Sequence, residues 1–278
     1  MGLLAIAGAA AIAANDLYAN ILNAVARGIV VTVYVTVAGF SIACLLGLAV
    51  AVMALSRHVV LRQFARFYVE LLRGIPILVL LLYIAFVGAP ALVAFVNFLA
   101  TPLIERGFVQ AMTVRDFPLV WRAIVALSIG YSAFIAEIFR AGIKSVDTGQ
   151  TEAAKALGLD GWQRFRLVVM PQAIRTILPP LGNDFVAMVK DSSLVSVLGV
   201  ADITQLGKVY ASGSFRFCGT YSIGAYVYLS LTIGLSMILR RIEQRLRNTD
   251  ERRGHPQCRE RVPHRVFRPH DALVDLAG

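Results

Sequence analysis

The residues of this 278-residue chain that could do chemistry sit inside or beside long apolar runs. Lys190-Asp191-Ser192-Ser193 sets a cation, an anion and two hydroxyls in the middle of the run 177–200. Glu137 and Arg140 lie three apart, on one face of a helix. Glu70, Arg73, Gly74 and Pro76 open another run, 67–86. An ionisable side chain at the centre of a bilayer costs about 2.5–3.5 kcal/mol on insertion scales, so it turns inward to a partner or a wet path. Two chemistries fit Lys190 and Asp191: shaping a polar translocation surface or gate, or forming a buried ion pair that fixes packing. Glu137 reads in the same two ways, as a path residue or as half of a local ion pair with Arg140 closing a span. Gly74 and Pro76 predict a kinked or unwound helix start. The segment around Lys190 predicts a helix broken inside a bundle, where free backbone groups meet water or substrate.

Other chemistry is excluded. No Gly-x-x-x-x-Gly-Lys-[Ser/Thr] phosphate cradle is present, and neither Gly-x-Ser-x-Gly nor His-Glu-x-x-His occurs. Cys44, Cys218 and Cys258 are far apart and support neither a zinc site nor a disulfide framework. His255, Cys258, His264 and His270 match no metal-site spacing. No metal, catalytic residue or cofactor is therefore expected on this chain. The net charge of +10 does not imply nucleic acid, because the Lys and Arg residues cluster between apolar runs and near the C-terminus.

The elements that must position these residues follow from composition. With 58% hydrophobic residues and a mean hydropathy of +0.69, concentrated in continuous runs, the chain is an all-α membrane protein. Helices satisfy their own backbone in lipid, and a barrel would show alternation instead. About five transmembrane helices are expected, over 28–55, 67–86, 119–143, 177–200 and 221–239. In the first, Gly39, Ser41, Ala43 and Gly47 are the small residues that mark helix–helix contact in lipid. Residues 2–14 are apolar but shorter than the ~20 residues of a span and lack a basic lead, which argues against a cleaved signal peptide. Residues 1–27 are thus an interfacial or poorly ordered lead-in, 28–248 the membrane domain, and 249–278 a basic tail expected to be disordered. The stretch 91–100 extends the second helix or lies in the interface, and 204–219 reads as an outer loop. Arg57, Arg62 and Arg66, then Lys144 to Arg175, then Arg240 to Arg247 place those loops and the C-terminus in the cytoplasm.

The loop 144–175 is the most polar stretch between spans. Asp147 with Gln150, and Asp160 with Gln163, each resemble an N-cap answered three residues later. Gly158 suits the left-handed residue that ends a helix, and Trp162, Phe165 and Val169 recur at helical spacing until Pro171 interrupts. A helix–turn–helix knob is expected.

Glu152, Ala153, Ala154, Gly158 and Pro171 reproduce the Glu-Ala-Ala … Gly … Ile-x-Leu-Pro loop, with Val168 and Met170 in place of its Ile and Leu. On these residues the chain resembles the permease subunit of binding-protein-dependent ABC importers. Tyr68-Val69-Glu70-Leu71-Leu72-Arg73-Gly74-Ile75-Pro76 is similar to the Tyr-Val-Glu-x-x-Arg-Gly-Thr-Pro signature of polar amino-acid permeases of the histidine and glutamine type, with Ile75 for Thr. The stretch from Tyr131 to Ile143 resembles that family's Ala-Glu-Ile-x-Arg run through Ala136, Glu137, Ile138 and Arg140. Leu178, Pro179, Pro180, Asn183 and Lys190 to Leu194 match its Leu-Pro-Pro-x-x-Asn … Lys-Asp-Thr-Ser-Leu pattern.

The resemblance covers roughly 15–248 and implies a type I importer permease fold in a bacterial inner membrane. It implies that Glu152, Ala153, Ala154, Gly158, Leu159 and Pro171 form a coupling helix that docks on a cytoplasmic ATPase subunit, which holds the ATP and Mg. It further implies a second permease subunit, identical or different, and an extracytoplasmic binding protein that delivers a polar amino acid. The alternative is a self-contained secondary transporter or channel using Glu137, Lys190 and Asp191 as an ion relay. Such transporters show repeated halves, and no repeat is visible.

Overall fold

The computed structural model describes residues 16–252, and all regular structure among them is helical. The expectations for the lead-in before residue 16 and for the tail after residue 252, including its His and Cys residues, fall outside the described residues. The chain divides at Glu243 into two compact units, the first holding every element up to that point.

Helix α1, Asp16–Leu55, is a single helix of 40 residues, so the span expected from residue 28 begins well inside it. Helix α2, Val59–Gly74, buries only Ala65, Val69 and Leu72. The expected second span is divided here. Ile75 is extended at φ −99° and ψ 129°, as the residue before Pro76 must be, because the proline ring disfavours the helical conformation behind it. The apolar crossing helix starts only after this break: α3 (Ile77–Tyr83), a wide turn (Ile84–Gly88) and α4 (Ala89–Ile104) form one continuous 28-residue span. The wide turn ends beside Pro90 in the first turn of α4, where it lets a ring without an amide proton be accommodated. Residues 91–100 thus extend the second helix.

A clamped loop follows. Asn97 donates from Nδ2 to the Met112 carbonyl and accepts from the Met112 amide on Oδ1, both at 2.8 Å. Arg122, at the head of α5 (Leu119–Lys144), donates to the Phe117 carbonyl at 2.8 Å and also to the carbonyl of Val114.

Helix α5 is the buried centre of the first unit and lies along α1. Gly39, Ala43 and Gly47 are buried at four-residue spacing and form the seam. A Cβ at Gly47 would come within 2.8 Å of the Ile135 side chain, and Ser128 donates to the Gly39 carbonyl at 3.0 Å. Ser41 lies on the opposite, exposed face and bonds its own helix at the Val37 carbonyl. Val35, Ala43, Leu81, Ile124, Leu127, Ile135, Met188 and Val195 make the main core around this seam.

The knob comprises α6 (Thr148–Ala156) and α7 (Gly161–Arg164). It runs through a second wide turn, Phe165–Val169, directly into α8 (Met170–Asp191) and then a 3₁₀ segment, Ser192–Leu198. Pro171 does not interrupt: it sits in the first turn of α8, where the missing amide proton leaves no bond unmade. The expected break at Lys190 to Ser193 is the switch from α to 3₁₀ winding. Segment 204–219, expected as a loop, instead contains helix α9 (Ile203–Ser214), capped by Asp202 through the amides of Thr204 and Gln205. The sequence signal was that N-cap, outweighed by the glycines. Helix α10, Phe217–Arg252, follows.

Among the described residues, four helical stretches are long and apolar enough to cross a membrane: Tyr18–Leu55, Ile77–Ile104, Leu119–Lys144 and Phe217–Gln244. The segment 170–198, with Arg175, Asp184, Lys190 and Asp191, is the more polar fifth.

Candidate functional site

Where α2 breaks before α3, a cavity of about 530 Å³ with a largely apolar wall and a few charged groups opens between that break, α5 and α8. The break contributes Arg73, Gly74, Ile75 and Pro76, α5 contributes Gly130, Tyr131 and Phe134, and α8 contributes Asp184, Ala187 and Asp191. The α8 residues are three and four apart and so share one helix face. Tyr131 donates its hydroxyl to Asp191 Oδ2 at 2.7 Å, and Arg73 lies over the Phe134 ring, 5.4 Å from its centroid. Asp184 Oδ2 is enclosed and has no hydrogen-bond partner. A buried acceptor left unpaired costs about 1–3 kcal/mol, more when charged. One guanidinium and two carboxylates around one space are the complement of a small solute carrying both charges.

A second cavity, of about 490 Å³, lies between α1, α2 and α5 and is lined by Arg62, Arg66, Glu70, Glu137, Arg140 and Lys144 among others. Arg140 Nε donates to both Glu137 carboxylate oxygens at 3.1 Å.

The knob exposes what a surface ordinarily hides. Leu157 is 81% and Trp162 67% exposed, with Trp162 stacked on Phe165. Gly158 has φ +80°, and the amides of Gly158 and Leu159 bond back to the carbonyls of Lys155 and Ala154, a glycine-terminated helix end. Asp160 and Gln163 form the expected reciprocal cap. Asp147 caps instead through the Gly149 amide at 2.9 Å, with Gln150 bonded backbone to backbone. Glu152 and Ala153 are exposed, Ala154 is buried, Leu159 is half-buried, and Pro171 is exposed.

The structure therefore separates the sequence-derived residues into three places. Arg73, Gly74, Pro76 and Asp191 meet in the first cavity, Glu137 lies in the second, and the six loop residues lie on or beside the knob. Lys190 is exposed, Ser192 is buried with its hydroxyl on the Val189 carbonyl at 2.7 Å, and Ser193 is half-buried. Sequence reasoning missed Asp184, Tyr131, Leu157 and Trp162 as site residues. Asp184 was findable, since it precedes Asp191 by two helical turns.

The sequence profile described as "Binding-protein-dependent transport system inner membrane component" matches residues 43–248, which include both cavities and the knob. The chain belongs to this family. A probable amino-acid permease protein of Bacillus subtilis, YxeN, is 35% identical over 75% of this chain and 84% of its own length. The glutamine transport system permease protein GlnP of Escherichia coli is 34% identical over 80% of this chain and 92% of its own. Among solved structures, an amino acid ABC transporter with histidines matches at a TM-score of 0.67 with 36% identity, covering 80% of this chain and 94% of that one. A methionine ABC transporter in an inward-facing form, 21% identical, shares the fold at a TM-score of 0.60 over 80% of this chain and 95% of its own.

As a member of this family the chain is the multi-pass inner-membrane permease component of an ABC importer. It works with an ATPase and a substrate-binding protein, and ATP hydrolysis belongs to the ATPase subunit. The self-contained secondary transporter gives way to this reading, and Glu137 and Asp191, its supposed relay partners, line different cavities.

Proposed function

We propose that this permease passes a polar amino acid, delivered by an extracytoplasmic binding protein, through the cavity lined by Arg73, Asp184 and Asp191. The observation that carries the reading is that Asp184, a carboxylate with one enclosed and unpartnered oxygen, lines the same cavity as Arg73 and the Tyr131–Asp191 pair. Arg73 is suited to the α-carboxylate and Asp184 to the α-ammonium, while the Tyr131 hydroxyl holds Asp191 in place. The adjoining breaks in α2–α3 and at Ser192 supply backbone that can change its winding as the path opens, the arrangement in which transporters commonly hold substrate. Asp191, Ser192 and Ser193 belong to that hinge. Lys190, exposed on the single chain, is assigned to its gate side, and Glu137 to the neck of the path beyond the first cavity.

The α6–α7 knob, with Glu152, Ala153, Gly158 and Leu159 and the exposed Leu157 and Trp162, is read as the coupling helix that seats in the ATPase. Pro171 fixes how α8 leaves it. The basic loops support a cytoplasmic side for this knob and the C-terminus. Two permease subunits are expected in the assembly, with ATP and Mg on the ATPase subunits alone.

The test is amino-acid uptake and ATPase activity of the whole transporter in vesicles with its binding protein. Asp184→Asn should assemble and keep basal ATPase but lose uptake. Normal uptake in that variant would remove the cavity from the path, and uptake independent of ATP would restore the ion-relay transporter.

A further inference from the structure

The charges that line the first cavity do not balance. Arg73 is the one cation of the lining, while Asp184 and Asp191 are both anions. Among the described residues Arg73 forms no ion pair with either of them: its guanidinium lies over the Phe134 ring, 5.4 Å from the centroid. Much of the remaining wall is apolar, with Leu72, Ile75, Ile77 and Leu80 among it. A carboxylate against such a wall is costly unless a cation stands beside it. A zwitterionic amino acid brings one charge of each sign, so it answers Arg73 and a single aspartate. The second aspartate calls for a second positive charge on the ligand.

The placement of the two carboxylates separates their roles. Asp184 and Asp191 stand two turns apart on α8, about 10 Å along its axis at 1.5 Å per residue. Two cations on one ligand fit that spacing better than one ammonium shared between both. Asp191 is half-buried, and the Tyr131 hydroxyl donates to its Oδ2 at 2.7 Å, so Oδ1 keeps its capacity to accept. Asp191 also closes α8 where the winding changes to 3₁₀ at Ser192, so the far end of the ligand is read at the hinge.

We propose that this cavity selects an amino acid with a cationic side chain, of the lysine or arginine kind, and so adds a charge filter within the permease to that of the binding protein. The α-carboxylate lies on Arg73, the α-ammonium on Asp184 and the side-chain cation on Asp191. This assignment rests on the reading that the cavity belongs to the path. A neutral side chain leaves Asp191 unanswered. An acidic one sets a third anion in the same space, where like charges repel. The order of preference is therefore cationic, neutral, acidic.

Equilibrium dialysis of the assembled transporter, without its binding protein, against radiolabelled lysine, glutamine or glutamate tests this. Lysine should bind about tenfold more tightly than glutamine, the difference of one charge-assisted hydrogen bond, and glutamate should bind least. Asp191→Asn should weaken lysine about tenfold and leave glutamine little changed, which also shows that the cavity of the variant is intact. Asp184→Asn should weaken both. Glutamine held as tightly as lysine by the unaltered protein, or an equal loss of both in Asp191→Asn, would overturn the charge filter while leaving the path in place. Glutamine binding that tightens as pH falls, with no preference for lysine, would also overturn it and assign the surplus charge to a bound proton. Binding of none of the three, or binding indifferent to Asp184→Asn, would remove the cavity from the path and the filter with it.

Discussion

The two cavities are close in size, about 530 and 490 Å³, and share two of their three walls, yet their charge balances are opposite in sign. Helix α2 gives Arg62, Arg66 and Glu70 to one and Leu72, Arg73 and Gly74 to the other. Helix α5 likewise gives Glu137, Arg140 and Lys144 to one and Gly130, Tyr131 and Phe134 to the other. The third wall decides. Helix α8 brings Asp184 and Asp191, with only Arg73 opposite, whereas α1 brings Val50, Ala54, Leu55 and Ser56 and no charge at all. Pairing sharpens the difference: Arg140 takes up the Glu137 carboxylate in the second cavity, while Asp184 in the first keeps one oxygen without a partner.

The widest separation between the cavities should come from Asp184→Asn with Asp191→Asn. Removing one partner of a desolvated charged contact costs about 2–5 kcal/mol, so uptake should fall by at least tenfold per site while the second cavity is left as it is. Vesicle uptake reads this, and basal ATPase activity of the same preparation reports assembly. Next is Gly158→Val. A side chain held at φ +80° costs about 1–2 kcal/mol, which should misplace the knob and uncouple ATPase activity from uptake without altering either cavity. Comparing ATPase activity with and without loaded binding protein measures this, and intact coupling would count against the docking role.

Arg140→Gln bears on independence. It frees the Glu137 carboxylate at the neck of the path and leaves the first cavity intact, so the uptake KM should move less than in Asp184→Asn. A KM shift as large as that of Asp184→Asn would merge the two cavities into one path. Lys190→Met should lower uptake less than Asp191→Asn, because Lys190 lies outside the cavity lining.

The smallest effect is expected at a position in neither cavity. The amide and then the hydroxyl of Thr113, bonded to Asp116 Oδ2 at 2.7 and 2.8 Å, hold the Asp116 carboxyl below its ordinary value. A carboxyl depressed in the folded state adds stability above its unfolded pKa, about 4, and loses it as pH falls through the lower folded value. Asp116→Asn should therefore flatten the acid limb of thermal unfolding slightly and leave uptake untouched.

Local rules reached a good part of this protein. Long apolar runs with basic flanks specify membrane helices because lipid offers the backbone no alternative partner. The cap of Asp160 with Gln163, the left-handed Gly158 and the break before Pro76 depend on neighbours within four residues, so their residue types were enough. The seam residues Gly39, Ala43 and Gly47 were equally legible as small residues, while Ser41 needed the helix phase to be placed outside it.

Pro171 and the segment 204–219 show where local reading fails. A proline is tolerated in a first turn and disruptive inside a helix, and only the wide turn before α8 decided which applied. Helix α9 is held partly by contacts outside itself: Ile203 clusters with Ile223 and Val227 of the next helix and with Ile21 and Val25 of α1, distant in sequence. The cavities are the strongest case. Asp184 and Arg73 are 111 residues apart in the sequence, and nothing in either neighbourhood says that they face one space. The sequence determined that charges would be carried into the membrane. Which carboxylate stays unpaired, and which cation stands across from it, was decided by how α5 packs between α2 and α8, because the energy of a buried charge depends on what tertiary packing sets beside it.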